Sequence, residues 1–255
     1  DLFGGSFNIN FNYSKKLKLH FFFSRGYKTS GINQSQYSGF NEDYRIYNTE
    51  VCNNIELGLL YNKKYSLSLF YMHRDNPHLR LSHQYDLLNP LSFDYATYNG
   101  NFAYHYGFEL KTNNTFNNLN LNQSLSYLNT YISTFKYHGL SYGNREIAHA
   151  PKYKYNLNLE YLIKENLSFN INTTYISSFY FEEQNNEKSN SYNLIDTSIE
   201  YSYKNIDISI WSKNLTNQKY PIRGYKFLLD PSYTIKSYQS FGEPRTFGVT
   251  LNFKI

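Results

Sequence analysis

The sequence predicts an all-β protein, a transmembrane antiparallel β-barrel wall of about eleven strands. Three observations predict it. Apolar and polar residues alternate with period two along nearly the whole chain. Aromatics reach 20%, with 29 Tyr and 20 Phe, although the mean hydropathy is -0.64. Connections alternate between short ones rich in Lys and Asn and long polar-aromatic ones, the two-sided pattern of an outer-membrane barrel whose short turns face the periplasm.

The elements follow in order. Phe7, Ile9, Phe11 and Tyr13 alternate with Asn8, Asn10 and Asn12, and after a turn at Lys15 and Lys16 come Leu17, Leu19, Phe21 and Phe23. The stretches "NIELGLLY" and "YSLSLFYM" are joined at Asn62, Lys63 and Lys64. Tyr104, Tyr106, Phe108 and Leu110 precede a returning strand with Leu119, Leu121, Leu125 and Tyr127. In "KYKYNLNLEYL", Tyr153, Tyr155, Leu157, Leu159 and Tyr161 face one way while Lys154, Asn156, Asn158 and Glu160 face the other; its partner is "LSFNINTTY". "SYNLIDTSIEYSY" turns at Lys204 and Asn205 into "IDISIWSKNL". The closing strand carries Phe247, Val249, Leu251, Phe253 and Ile255 toward lipid, with Thr250, Asn252 and Lys254 toward the lumen. The long connections cover approximately residues 27–46, 77–99, 136–150, 181–190 and 219–243.

Other classes fit poorly. Disordered chains are poor in aromatics. No run approaches the ~18 apolar residues of a spanning helix. Cys52 is the only cysteine, so no internal disulfide exists. The formal charge of +5 is scattered without the basic block that marks a nucleic-acid footprint. A soluble β-sandwich also alternates, but sandwiches mix their loop lengths, and an open sheet with so many greasy outward positions aggregates. In lipid every backbone group must be paired, so the sheet has to close. Single-chain bacterial barrels have an even strand count. An odd count of about eleven therefore predicts the C-terminal half of a barrel of about 22 strands, with the N-terminal barrel half and plug domain absent and residues 1–255 forming one incomplete domain.

Several ordered stretches carry a family likeness: "FFFSRGYKTSGIN" at 21–33, "NREIAHAPKYKYNLNLEY" at 144–161, "SFYFEEQNNEKSNSYNLIDTSIEY" at 178–201, then "SIWSKNLTNQKYPIRGYKFLLDP" and "GEPRTFGVTLNFKI". Together they resemble the C-terminal barrel half of TonB-dependent outer-membrane receptors of the siderophore-receptor type. The likeness is strongest from Asn144 to Ile255 and weakest from Tyr37 to Arg45 and from Arg74 to Phe93. The chain departs in lacking the plug and the TonB-contacting segment, and in ending on Ile255 where such barrels usually end in Phe. The resemblance implies localisation in the bacterial outer membrane and uptake of a scarce ligand, commonly a ferric siderophore. The missing plug would meet the TonB complex, and the barrel-assembly machinery would read the C-terminal strand. It implies no enzyme activity and no cofactor.

For an anionic metal chelate, Arg supplies charge and Tyr and Phe supply flat contact area. The ligand-binding candidates are Arg74, His78, Arg80, Tyr142, Arg145, Tyr180, Phe181, Arg223, Tyr225 and Tyr233, all in long loops or at strand tops. Loop aromatics in such barrels more often form headgroup-level girdles, and Arg223 and Arg245 could equally be lumen charges paired with Glu243 or with the plug. His20, His105 and His149 show no metal-ligand spacing, so no metal site is expected. Trp211 reads as wall packing. A barrel enzyme would need a local acid, base or nucleophile set that Asp94, Asp196, Asp207 and the scattered histidines do not form. A passive porin stays open as an alternative, distinguished by a reading frame without a plug.

Overall fold

The computed structural model describes residues 2–34, 40, 42–86, 89, 92–227, 234 and 236–254. Among these residues, nineteen strands run in chain order. The first hairpin is β1 (Gly5–Asn12) with β2 (Leu17–Lys28), and two short strands follow, β3 (Gly31–Ile32) and β4 (Ile46–Tyr47). Next come β5 (Glu50–Tyr61) with β6 (Tyr65–Asp75), then the pair β7 (His78–Gln84) and β8 (Phe93–Asn99). β9 (Phe102–Phe116) and β10 (Leu119–Ile132) precede β11 (Phe135–Tyr137) and β12 (Leu140–Tyr142). β13 (Tyr153–Lys164), β14 (Leu167–Ile176), β15 (Tyr192–Tyr203) and β16 (Ile206–Lys213) follow. The last are β17 (Pro221–Phe227), β18 (Lys236–Phe241) and β19 (Thr246–Phe253).

Eleven of these build one sheet in the order β1-β2-β5-β6-β9-β10-β13-β14-β15-β16-β19, every neighbour antiparallel. They are the eleven strands that the alternation predicts. β1 and β19 are the two edges, and with an odd count they run in the same direction. The tight turns form because their residues tolerate the left-handed region: Asn62 (φ 52°), Lys63 (φ 57°), Asn117 (φ 48°) and Lys204 (φ 50°) all take it.

Register places the alternating residues on two continuous faces. Ile9 lies opposite Phe21, Phe21 opposite Leu57, Leu57 opposite Leu69, and Leu69 opposite Phe108. Phe108 in turn meets Tyr127, and Tyr127 meets Tyr153. Farther along, Phe169, Ile199, Ile210 and Val249 continue the face to the other edge. Phe7, Leu57 and Val249 stay 55%, 52% and 63% exposed. A greasy face that runs across eleven strands far exceeds what a water-soluble surface carries, so hydrocarbon is its solvent.

The opposite face is polar and bonded to itself. Asn120 donates to Glu160 at 2.8 Å, Asn156 to Ser124 at 3.1 Å, and Asn170 to Ser198 at 3.2 Å. Trp211 lies on this lumen face. A Cβ on Gly248 would come within 2.6 Å of the indole, so only glycine on β19 lets the ring lie flat, and its N–H reaches Thr250 Oγ1 at 3.1 Å. Trp211 therefore packs the wall. Ile255 lies outside the described residues.

The long connections all leave the same end of the sheet and are more ordered than their polar composition suggests. β3 pairs with β4, β7 with β8, β11 with β12, and β17 with β18. Leu79, Leu81, Ala103, Ile132, Phe135 and Tyr137 bury one another there, and Phe179, Phe181 and Tyr192 form a second buried cluster. The hydrophobic cores of this molecule sit in its loops, because the sheet gives its apolar face to lipid.

Candidate functional site

Between the β7/β8 hairpin, residues 148–149, residues 181–184 and the β17 strand lies a cavity of about 560 Å³. Period two places its first wall. Along β7, Leu79 and Leu81 are buried while Arg80 points outward into the cavity, its guanidinium over the Tyr95 ring at 5.0 Å. Gln184 acts as a borrowed strand partner for this hairpin. Its Oε1 accepts from Ser82 N at 2.6 Å and Ser82 Oγ at 3.1 Å, and its Nε2 donates to Ser82 O at 2.8 Å.

The second wall is tied by Arg145. Its guanidinium donates to the carbonyls of Asn185 (2.6 Å) and Glu182 and covers the Tyr180 ring at 4.1 Å, which Lys188 also approaches at 4.0 Å. Phe181 is 2% exposed. It fills the space that a side chain on Gly224 would need, since a Cβ there would fall 2.4 Å from the ring. That close approach seats β17, and Arg223 and Tyr225 thereby line the cavity.

The cavity sets two guanidinium groups beside two carboxyls whose ionisation burial disfavours. Among the described residues, neither Arg80 nor Arg223 makes an ion pair. Burial raises the Glu183 carboxyl above its ordinary range, against the Ala148 N–H that bonds its Oε1 at 2.9 Å and the charges of Arg145 and Arg74. Its Oε2 is buried and has no partner. Burial also raises Glu182, against the hydrogen bond from Asn185, and the Glu187 charge adds to the rise. His149 is pushed down by burial and by the charge of Arg223. Two unpaired guanidinium groups thus face carboxyls that resist ionisation.

The structure divides the ten expected ligand residues. Arg80, Phe181, Arg223 and Tyr225 line the cavity, and Arg145 and Tyr180 brace it from behind. Arg74 and His78 belong to a clip at the strand tops instead. The buried Glu50 carboxylate accepts from Arg74 Nε at 2.7 Å and from the His78 N–H at 2.8 Å, and Lys28 approaches it at 3.3 Å. Arg74 also borders a lumen-wall recess of about 420 Å³ with Cys52, Met72 and His105, but Glu50 neutralises it there. Tyr142 packs on Phe135 at 5.7 Å as part of the loop core. Tyr233 lies outside the described residues. Arg245 does not pair with Glu243; it reaches the Leu215 carbonyl at 3.4 Å.

Sequence reasoning passes over Tyr95, Glu182, Glu183 and Gln184, and weighs His149 only as a metal ligand. Tyr95 gives no clean signal, because the alternation in "FDYATY" breaks at the adjacent Tyr95 and Ala96, and the carboxyl pair becomes meaningful only once burial is known. A further loop feature is the stack of His83 on His138, with centroids 3.5 Å and planes 2° apart. Burial pushes both of these imidazoles down.

A family model described as "TonB dependent receptor-like, beta-barrel" matches residues 2–215. The chain belongs to that family. This TonB-dependent receptor barrel also aligns with solved structures over nearly all its length. The ferric yersiniabactin uptake receptor FyuA from Yersinia pestis gives a TM-score of 0.76 at 17% identity, over 98% of this chain and 37% of that one. The siderophore receptor PiuA from Acinetobacter baumannii gives 0.71 at 17%, over 97% and 35%. The copper transporter OprC gives 0.72 at 15%, over 98% and 39%. At such identities the likeness concerns the fold, and the chain spans well under half the length of these structures. The family is one of receptors and transporters of the bacterial outer membrane, and its lipid is the solvent of the apolar face described above.

Proposed function

We infer that this receptor barrel takes part in TonB-energised uptake of an anionic iron chelate, a ferric siderophore or similar complex. The observation that carries the reading is the loop-end cavity, where Arg80 and Arg223 make no ion pair among the described residues, Tyr95 and Tyr225 supply flat surfaces, and burial disfavours ionisation of the neighbouring carboxyls. It opens at the end of the sheet that bears the long connections, which in an outer-membrane barrel is the extracellular end. A ligand this scarce requires tight capture followed by driven release, so capture at the loops is coupled to a plug that TonB displaces from the periplasm. In this reading residues 1–255 are one part of a larger barrel domain, and Phe247, Val249, Leu251, Phe253 and Ile255 form the strand that the assembly machinery recognises.

Growth of an iron-limited strain lacking the receptor, complemented with the complete reading frame, tests this directly. Ferric siderophores restore growth only when TonB is present, and haem or cobalamin does not. Growth restored without TonB overturns the reading in favour of a passive channel, as does a reading frame with no plug of about 100–150 residues upstream.

A pH dependence follows from the carboxyls. Because the folded-state pKa of Glu182 and Glu183 is raised, the loop packing is most favourable with the protons on; that contribution is full below the ordinary carboxyl value and is lost as pH rises through the raised one. Binding of an anionic chelate strengthens over the same descent in pH, as the two carboxyls lose their charge. Titration calorimetry across this range shows the slope. Glu183→Gln flattens it and holds the affinity near its acidic value, and an unchanged slope in that variant refutes the assignment.

A further inference from the structure

The two ends of the sheet differ in the kind of cation they carry. All seven arginines lie in the long connections or in the strand halves next to them, and the short-turn end carries lysine alone. Lys15, Lys16, Lys63, Lys64 and Lys204 lie in the turns, are exposed, and make no ion pair among the described residues. Of the other lysines near this end, Lys254 pairs with Asp207 at 2.8 Å and Lys164 adjoins Glu165, while Lys18, inside β2, makes no ion pair among the described residues. The five free turn lysines equal the formal charge of +5 of the entire chain, so the remaining residues sum to zero.

A second observation fixes the depth of this rim. Immediately inside it, on the lipid-facing side, runs a band of aromatics. Tyr61 stacks on Tyr65 at 6.4 Å and Tyr201 on Tyr203 at 6.5 Å, with Phe116 and Tyr161 between these pairs in sheet order. Tyr and Phe in such bands sit at headgroup level. The turn lysines project just beyond them, and Lys204 lies 5.3 Å from the Tyr203 ring. Ammonium groups at that height meet phosphates of the leaflet that the short turns face. Lysine suits a diffuse anionic surface, as a mobile point charge with no preference for one bidentate partner.

We propose that the lysine rim of the short turns, Lys15, Lys16, Lys63, Lys64 and Lys204, docks on anionic phospholipid headgroups of the periplasmic leaflet. The rim thereby fixes the depth of the barrel and selects phosphatidylglycerol-type lipid around it. The inference is independent of the transported ligand and depends only on the barrel standing in the outer membrane.

The test uses protein expressed from the complete reading frame and reconstituted in phosphatidylethanolamine vesicles containing a minor share of phosphatidylglycerol. Lipid that stays with the protein is counted by native mass spectrometry. Phosphatidylglycerol is enriched roughly tenfold over its share, and the enrichment falls as salt rises toward ~1 M. Changing the five lysines to Gln abolishes it, whereas changing them to Arg preserves it. Heat-modifiable migration on gels reports that each variant is folded, and the salt titration of the unaltered protein tests the same point without any variant. No enrichment in the unaltered protein, or enrichment undiminished by the Gln changes, overturns the proposal. So does binding of an acidic polypeptide without lipid preference, which would make the rim's partner a protein.

Discussion

Leu69→Arg destabilises the folded barrel by about 2–4 kcal/mol, and Ser68→Arg, one residue away at the same depth, changes stability by no more than about 0.5 kcal/mol. Leu69 is on the apolar face near the middle of β6, opposite Leu57 and Phe108, and is 47% exposed. Ser68 points into the lumen, opposite Gly58 and Glu109. In water a half-exposed leucine tolerates arginine at almost no cost, so the size of the Leu69 effect reports hydrocarbon around that face. Glu109 also lies where a new guanidinium at position 68 can reach it. Denaturant unfolding of the protein in lipid vesicles, expressed from its complete reading frame, measures both variants. Equal costs at 68 and 69 would remove the lipid assignment of the apolar face.

The contrast also shows why the wall was legible in the sequence. A strand that divides lipid from lumen must alternate strictly, and a one-residue slip inverts both faces. Each of the eleven strands therefore announces itself, and Asn- and Lys-bearing turns mark where the chain reverses. The loop hairpins obey the same period without announcing themselves. "HLRLSHQ" alternates as cleanly as a wall strand, yet β7 is seven residues long, shorter than the ~9–11 that cross a membrane. Its leucines bury against Ile132 at the top of wall strand β10 and Phe135 in the connection that follows it. Nothing local distinguishes that fate from a polar loop.

The site was legible in kind but not in detail. Arg74 and Arg80 are six positions apart, both near a strand top, and by residue type both suit an anionic ligand. Their difference is Glu50, which register between β5 and β6 brings beside Arg74 and nothing brings beside Arg80. Phe181 shows the same limit for an aromatic. Its burial depends on Gly224, forty-three positions later, leaving room for the ring. Burial and partnership are long-range properties, whereas charge and shape are local.

That division gives the sharpest expectation for the site itself. Arg80→Ala with Arg223→Ala weakens binding of a ferric siderophore by about two to four powers of ten, since removing one charge-assisted hydrogen bond costs about 1.5–3 kcal/mol. Among the described residues neither guanidinium makes an ion pair, so the folded barrel keeps its stability and its heat-modifiable migration. Arg74→Ala has the reverse profile. It leaves the Glu50 carboxylate, 3% exposed, with only Lys28 and the His78 N–H, and breaking a buried pair costs roughly 3–5 kcal/mol at the upper end. The yield of folded protein falls, while the affinity of the molecules that do fold changes little. Binding and thermal unfolding measured on the same preparations separate the two outcomes. If Arg74→Ala lowers affinity while the double Arg80 and Arg223 variant leaves it unchanged, the ligand is held by the lumen wall and the loop-end cavity is not the capture site.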